Sequence, residues 1–152
     1  MIKLVRATPA DIPFIMATER GPGYELLVGR WPDEEHRAAM VDTNWLYLLG
    51  AADGGAPQGF ALLFDINNRE GSRYLRRIAV VDPGKGFGKP FLSAVIDFVF
   101  HQTDTHHLWL SVREANVRAR HVYSSFGFVD DGPGTESASR RVSLLKPVWL
   151  AR

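Results

Sequence analysis

The sequence predicts an α/β protein in which helices flank a mixed sheet. Apolar runs typical of strands alternate along the chain with helix signals. The clearest helix lies around 91–100, where apolar residues recur at the helical period. A glycine-rich turn at 84–88 joins this helix to the preceding strand. We therefore expect the element order β-α-α-β-β-β-α-β-α-β-β.

The first half of the chain is predicted to hold three strands, at 2–6, 44–51 and 58–65. The last two flank a glycine-rich turn and are expected to form a hairpin. Thr8 offers a helix cap and Pro9 suits the first helical position, which predicts a helix over about 9–19. A shorter helix is predicted around 33–41, where acidic residues lead and Arg37 trails, as the helix dipole favours.

The second half is predicted to hold four strands, at 73–81, 107–112, 128–130 and 140–150. Pro147 weakens the last strand or places it at an edge, because proline cannot donate a hydrogen bond to a sheet. A helix is predicted to begin after Asn116, which can cap it, and to end at Gly127. Edge strands near the C-terminus favour a homodimer.

Composition favours one globular domain over residues 1–152. Hydrophobic residues make up 45% and charged residues 23%, which argues against disorder. The formal net charge of +1 does not indicate general nucleic-acid binding. No apolar stretch is long enough to span a bilayer. We expect a cytoplasmic protein with no membrane partner. The absence of cysteine excludes a thiolate metal site and a cysteine acyl-enzyme, and we expect no metal.

A glycine-rich turn lies where a strand ends and a helix begins, at Pro83-Gly84-Lys85-Gly86-Phe87-Gly88-Lys89. Alternating glycines let backbone N–H groups face one point, and the helix N-terminus adds unpaired donors. The pattern indicates a phosphate or pyrophosphate site, although such turns also serve tight packing alone. No Gly-Lys-Ser/Thr follows at the spacing of a P-loop, and the final glycine spacing of a dinucleotide fold is missing.

Asn116 and Tyr123 form a second candidate pair. They are seven residues apart, so they project from nearly the same side of the predicted helix, about 10 Å apart along its axis. A polar group at the helix start and a phenol two turns later could line one groove. The structural alternatives are that Asn116 is only a cap and that Tyr123 belongs to an apolar stripe.

These two regions together resemble the Gcn5-related N-acetyltransferase (GNAT) superfamily. Residues 75–89 are similar to its acyl-CoA pyrophosphate segment. Residues 108–128 carry the pattern Asn-x-x-Ala-x-x-x-Tyr-x-x-x-Gly-Phe and resemble its following strand and helix. The sequence of these segments is closest to the branch that contains ribosomal-protein N-terminal acetyltransferases. Residues 131–152 match the family poorly. The resemblance implies a mostly antiparallel sheet and an acetyl-CoA-dependent N-acetyltransferase.

The resemblance also implies roles for individual residues. The turn residues whose backbone amides would hold the pyrophosphate of acetyl-CoA are Gly84, Lys85, Gly86, Phe87, Gly88 and Lys89. The pantetheine arm would pair with the backbone around Ala79, Val80 and Val81 and contact Asn116. Tyr123 would lie beside the thioester sulfur. There a phenol with a pKa near 10 can donate a proton to a departing thiolate, whose thiol pKa is about 8.5.

Two departures from the family pattern bear on this chemistry. Pro83 stands where relatives usually carry Arg or Gln, in a turn that is also shortened. Arg76 and Arg77 occupy the strand on which relatives often carry a glutamate, so the general base is not identified. The candidates are Glu114, Glu19, Glu25 and His121, or a water chain. A site without a strong base fits a peptide α-amine, with a pKa near 8, better than a lysine-like amine near 10.4, although small amines are also candidates.

The acceptor, a small molecule or a protein N-terminus, is expected to meet several loops. The proposed contacts are Tyr24, Glu25 and Trp31 in the loop at 20–32, and Glu114. The segment 131–141 is either a mobile lid or an ordinary surface loop.

Two alternative functions stay open. One is a non-catalytic acyl-CoA sensor of the same fold, which Pro83 and the missing base favour. The other is an acetyltransferase that acts on a tRNA-linked amine. The arginines that could form a patch for that purpose are Arg113, Arg118, Arg120, Arg140 and Arg141. The near-zero net charge disfavours a nucleic-acid partner.

Overall fold

The computed structural model describes residues 1–21 and 30–152. Seven strands in these ranges form one sheet: β1 (Ile2–Arg6), β2 (Trp45–Ala52), β3 (Gly59–Phe64), β4 (Ser72–Val80), β5 (His107–Arg113), β6 (Val129–Pro133) and β7 (Ser139–Leu145). Their spatial order is β1-β2-β3-β4-β5-β7-β6. Every neighbouring pair is antiparallel except β4 and β5. The predicted fold class is therefore confirmed.

The helices of the described ranges are α1 (Ile12–Glu19), α2 (Asp33–Val41), α3 (Gly88–Gln102), α4 (Val117–Ser125) and α5 (Lys146–Leu150). Thr8 and Asp11 form a capping box, as the sequence suggests, but residues Pro9–Asp11 make a 3₁₀ turn before α1. No helix among the described residues is long and apolar enough to cross a bilayer.

The C-terminal strand prediction, 140–150, is wrong in its second half. β7 ends at Leu145, and Pro147 lies in the first turn of α5. Proline suits that position because N–H groups in a first turn have no intrahelical partner. The supposed loop at 131–141 is mostly strand as well, since only residues 134–138 lie outside β6 and β7.

Helices cover both faces of the sheet. Along β2 the side chains alternate: Leu46 and Leu48 pack toward α3, whereas Tyr47 and Leu49 pack toward α1 and α2. The larger cluster, on the α3 side, also takes in Trp149 of α5. The sheet is thus the middle of three layers.

β4 and β5 are parallel, yet they pair over only three residues. The pairs are Ser72 with His107, Arg73 with Leu108, and Tyr74 with Trp109. Beyond that point β4 continues along β3 and β5 continues along β7. The two strands therefore separate beyond these pairs, and no described strand lies between them, which opens a cleft in the middle of the sheet.

A β-bulge at Arg76 changes which face of the sheet each β4 residue occupies. Leu63 pairs with Leu75 while Leu62 pairs with Arg77, so Arg76 is the extra residue. Before the bulge Leu75 packs in the α3 cluster, and after it Ala79 packs in the α1–α2 cluster. Arg76 lies two residues beyond Tyr74, the last β4 residue that pairs with β5.

Two glycines allow the first turn of α3 to approach the sheet closely. The Phe91 side chain is fully buried against Gly50 of β2 and Gly59 of β3. A Cβ on Gly50 would lie 2.4 Å from the Phe91 ring, and one on Gly59 would lie 2.8 Å from it. Because such distances are shorter than any van der Waals contact, glycine at both positions fixes where α3 begins.

We predict that Gly50→Ala destabilises the protein by about 2 kcal/mol, because the added methyl overpacks a buried ring. The free energy of unfolding in urea measures this loss. Gly55→Ala in the exposed β2–β3 turn is the matched control, since a Cβ there meets only Ala52 O at 3.4 Å; a change below about 0.5 kcal/mol is expected. Adding Phe91→Leu should recover part of the Gly50→Ala loss, and equal losses in Gly50→Ala and Gly55→Ala would contradict the packing argument.

Candidate functional site

The main cleft lies where β4 and β5 separate. Its volume is about 660 Å³, and its walls come from the diverging strands, the glycine turn, the start of α3 and one side of α4. A cleft between separating strands can offer backbone N–H and C=O groups to an extended ligand, which then takes the place of a strand. The cleft is therefore suited to a long, thin molecule.

The glycine turn forms one end of this cleft. Gly84 and Gly86 have φ values of 83° and 91°, which only glycine adopts readily. The first hydrogen bond of α3 runs from Phe91 N to Phe87 O at 3.0 Å, so the N–H groups of Gly88 and Lys89 precede the helical ladder. Donors of this kind, together with the helix dipole, favour an anion at this end of the cleft.

Most of the sequence-predicted residues at this end line the cleft. Those that do are Ala79, Val80, Gly84, Gly86, Gly88, Lys89 and Asn116. Val81, Lys85 and Phe87 are not among its lining residues; Phe87 instead stacks on Phe91, with ring centroids 5.5 Å apart.

Asn116 and Tyr123 both face the cleft from α4. Asn116 also caps the helix, because its Oδ1 accepts a hydrogen bond from Ala119 N at 3.2 Å. Tyr123 is half-buried, and its ring meets Phe128 edge to face at 5.6 Å. The structural and functional interpretations of these two residues are therefore compatible: each helps to hold α4 and each reaches the cleft.

Arg118 is a cleft residue that the sequence motifs did not single out. Its guanidinium lies beside the glycine turn, since a Cβ on Gly84 would be 3.5 Å from Arg118 Nη1. Arg118 is the second residue of α4, so the turn at Asn116 brings it there. Its position two residues after the capping asparagine is the only sequence signal that could have indicated it.

The proposed acceptor contacts are not gathered in one place. Tyr24 and Glu25 lie outside the described residues. Trp31 is not among the lining residues of the cleft; it packs edge to face on Trp45 at 5.2 Å. Glu114 is exposed, is not a lining residue either, and uses its backbone N–H to bond Ala138 O at 2.8 Å.

Glu19, one of the candidate bases, is buried in a charge cluster behind the cleft. Its carboxylate accepts hydrogen bonds from Arg77 Nη1 at 2.8 Å and from Trp31 N at 3.2 Å. Its Oε1 also lies 2.9 Å from His36 Nε2. Burial raises the pKa of Glu19, but the His36, Trp31 and Arg77 contacts outweigh burial and leave that pKa below its usual range. A carboxylate so strongly held in its ionised form is a poor base.

Burial also shifts the pKa values of two other residues of the cluster, Arg77 and Tyr47. Desolvation lowers the pKa of Arg77, although Glu19 opposes the shift, and desolvation raises the pKa of Tyr47, whose hydroxyl lies 2.8 Å from His36 Nδ1. The cluster holds α1, α2 and β4 together, because breaking a buried charge pair is costly.

The described residues supply no free carboxylate to the cleft. Glu136 is the acid among the lining residues, and its Oε2 lies 3.2 Å from Arg113 Nη2. His121 is exposed on α4 and is not a lining residue. The described lining residues therefore do not identify a general base.

Comparison with known proteins decides the family. The family model described as "Acetyltransferase (GNAT) family" matches residues 17–128, which is more than half of the chain. The chain belongs to the GNAT family. The family resemblance inferred from the glycine turn and the Asn116–Tyr123 helix is thereby confirmed, and acetyl-CoA is the co-substrate of GNAT acetyltransferases.

Individual relatives of this GNAT chain are named for polyamine acetylation. A Bacillus subtilis spermine/spermidine N(1)-acetyltransferase is 33% identical over 89 residues, which are 57% of this chain and 59% of the relative. A Vibrio cholerae spermidine N(1)-acetyltransferase is 34% identical over 55 residues, which are 36% of this chain and 32% of that protein. The chain thus matches less than two thirds of the length of either curated relative.

Solved structures of other proteins share the whole fold. A spermidine N-acetyltransferase chimera of SpeG from Vibrio cholerae and hSSAT superposes with a TM-score of 0.84, covers 99% of each chain and is 21% identical. An uncharacterized protein from Bacillus halodurans superposes with a TM-score of 0.83 at 14% identity, over 99% of this chain and 86% of its own. None of these relatives is named as a protein N-terminal acetyltransferase, and the nearer likeness to the ribosomal-protein branch stays a prediction.

Proposed function

We propose that this protein transfers the acetyl group of acetyl-CoA to a primary amine of a small molecule. The observation that carries the proposal is the cleft between β4 and β5, which ends at the glycine turn and passes Tyr123. The curated relatives are named for acetylation of small amines, which favours a small acceptor over a protein N-terminus.

Several groups at the α3 end fit the pyrophosphate of acetyl-CoA. The amides that precede the α3 ladder are the proposed donors, from Gly84 through Lys89. A Cβ on Gly86 or Gly88 would meet no atom within 4 Å, which leaves open space for a ligand above the turn. The pantetheine arm would then lie along Ala79, Val80 and Val81, at the end of β4 beside the cleft, and contact Asn116.

Arg118 can compensate for the departure from the family pattern at Pro83. Relatives usually carry Arg or Gln at that turn position, whereas this turn has proline beside two positive-φ glycines. The guanidinium of Arg118 reaches Gly84 from α4 and can supply a cation to the phosphates. We propose that the charge missing from the turn is provided by the neighbouring helix.

The transfer itself is proposed to be direct. The chain has no cysteine that could carry the acetyl group, so the amine nitrogen forms its bond to the acetyl carbon while the carbon–sulfur bond breaks. Tyr123 donates its phenolic proton to the departing sulfur, and the proton lost by the amine passes to solvent and restores the phenol. A backbone N–H at the end of β4 is proposed to stabilise the carbonyl oxygen.

Thiol release tests the proposed activity. Purified protein is incubated with acetyl-CoA and a panel of small amines, and with a peptide that has a free N-terminus but blocked lysines. We expect thiol release with at least one small amine and none above background with the peptide. The assay has no protein background because the chain lacks cysteine. Measurable CoA binding without thiol release from any amine would instead indicate an acyl-CoA sensor.

We predict that Gly86→Ala weakens the binding of CoA about tenfold. An alanine at a φ of 91° is strained by about 1–2 kcal/mol, and the turn must move to relieve the strain. Gly54→Ala is the matched control, because Gly54 has a φ of 68°, equally open surroundings and a place in the distant β2–β3 turn. Calorimetric titration with CoA measures both. Equal dissociation constants for the two variants would remove the turn from the proposed site.

We predict that Tyr123→Phe lowers kcat about 100-fold, because a positioned proton donor is lost while the ring packing on Phe128 is kept. The KM for acetyl-CoA should change less than threefold. His121→Ala on the exposed side of the same helix is the control and should keep full turnover. A Tyr123→Phe enzyme with unchanged kcat would exclude Tyr123 as the proton donor.

A further inference from the structure

Arginines and aromatic rings alternate in a row beside the cleft. In spatial order the row, here called the arginine–aromatic ladder, is Arg77, Trp31, Arg76, Tyr74, Trp109 and Arg141. Tyr74 and Trp109 stack with centroids 3.9 Å apart and planes within 2° of parallel. They are also the last pair joined between β4 and β5, so the ladder crosses the point where the strands separate.

The two ends of the ladder are neutralised by carboxylates. Arg77 Nη1 lies 2.8 Å from Glu19 Oε2, and Arg141 Nε lies 3.5 Å from Asp131 Oδ1. The guanidinium of Arg76, in the middle, lies 5.7 Å from the Trp31 ring centroid and 5.9 Å from that of Tyr74. No carboxylate of the described ranges lies within 4.0 Å of it, so among the described residues Arg76 is a cation near two rings without a counter-ion.

Arg76 is also placed to reach a ligand. It is the extra residue of the β4 bulge, it lines the cleft, and it is only partly buried. Arg77 beside it lines the same cleft, and its buried Nε has no hydrogen-bond partner among the described residues. An anion near Arg76 would therefore meet one uncompensated charge and a second guanidinium close by.

The described charges of the cleft do not suit a polycation. Spermine-like acceptors carry several positive charges, and Glu136, the acid among the described lining residues, is paired with Arg113. A partly desolvated arginine repels a cation and binds a carboxylate or phosphate with paired hydrogen bonds. The names of the relatives and the electrostatics of this cleft thus point to different amines.

We infer that the acceptor amine carries an anionic group, a carboxylate or a phosphate, which the Arg76 guanidinium holds while the amine reaches the acetyl group. This inference rests on the proposed acetyl transfer and specifies its substrate class. The neighbouring rings of Trp31 and Tyr74 restrict the guanidinium, so that little rotamer entropy is lost when the anion binds.

Matched acceptors that differ by one anionic group test the inference. Ornithine is 1,4-diaminobutane with an added carboxylate, and glucosamine 6-phosphate is glucosamine with an added phosphate. We expect kcat/KM to favour the anionic member of at least one pair by about 10- to 100-fold, the range of a charge-assisted hydrogen bond. The pair that responds distinguishes a carboxylate from a phosphate.

Arginine variants assign that preference to a residue. Arg76→Gln should abolish it by raising the KM of the anionic member, and Arg76→Lys should restore part of it. The KM of the member that lacks the anionic group and the KM of acetyl-CoA should change far less. The control is Arg37→Gln, which removes an exposed arginine paired with Asp33 on α2. Preference for 1,4-diaminobutane and glucosamine in the wild type, or a preference that survives Arg76→Gln, would overturn the inference and leave acetyl transfer standing.

Thermal unfolding separates the inference from the proposed function. If no amine releases thiol, acetyl transfer fails, but ornithine and glucosamine 6-phosphate can still be tested as ligands. A rise in Tm with either one that Arg76→Gln abolishes supports the anion site. If neither ligand raises the Tm of the wild type and no amine is turned over, the anion site is excluded.

Discussion

The structure depends on the early separation of two parallel strands. β4 and β5 share hydrogen bonds only as far as Tyr74 and Trp109, and each then follows a different antiparallel neighbour. Separating strands inside a sheet exposes backbone donors and acceptors that must find partners elsewhere. An extended ligand arm could supply such partners, so the gap that weakens the sheet also suits it to the binding of acetyl-CoA proposed above. The glycine turn, α4 and the arginine–aromatic ladder are all arranged around this gap.

Packing against both faces of the sheet determines the shape of the gap. Phe91 lies against Gly50 and Gly59, which sets the height of α3 and therefore the position of the glycine turn. On the other face the buried Glu19 ties Arg77 of β4 to His36 of α2. Because one anchor is steric and the other is electrostatic, the walls of the cleft are fixed from both layers independently.

The sequence was sufficient to predict the element order as far as β7, the glycine turn, and the position of Asn116 and Tyr123 at and within α4. These depend on local signals: glycine spacing, capping residues and helical period. Pro147 was misjudged because proline is compatible both with an edge strand and with the first turn of a helix, and only the neighbours decide. Arg118 and the ladder were not predicted, since they join residues from α4, β5 and β7 that only the fold brings together. The acceptor contacts on Trp31 and Glu114 were assigned from loop position alone, which carries no information about direction.

Because of the bulge at Arg76, odd-numbered β4 residues before it and after it point to opposite faces of the sheet. Before the bulge, Leu75 packs in the α3 layer; after it, Ala79 packs in the α1–α2 layer. Removing a single residue there would turn every side chain of one part toward the wrong layer, and Ala79 and Ile78 would exchange environments. Length at this point of the chain is therefore constrained more tightly than identity, so substitutions at position 76 can alter specificity while insertions and deletions beside it disrupt the core.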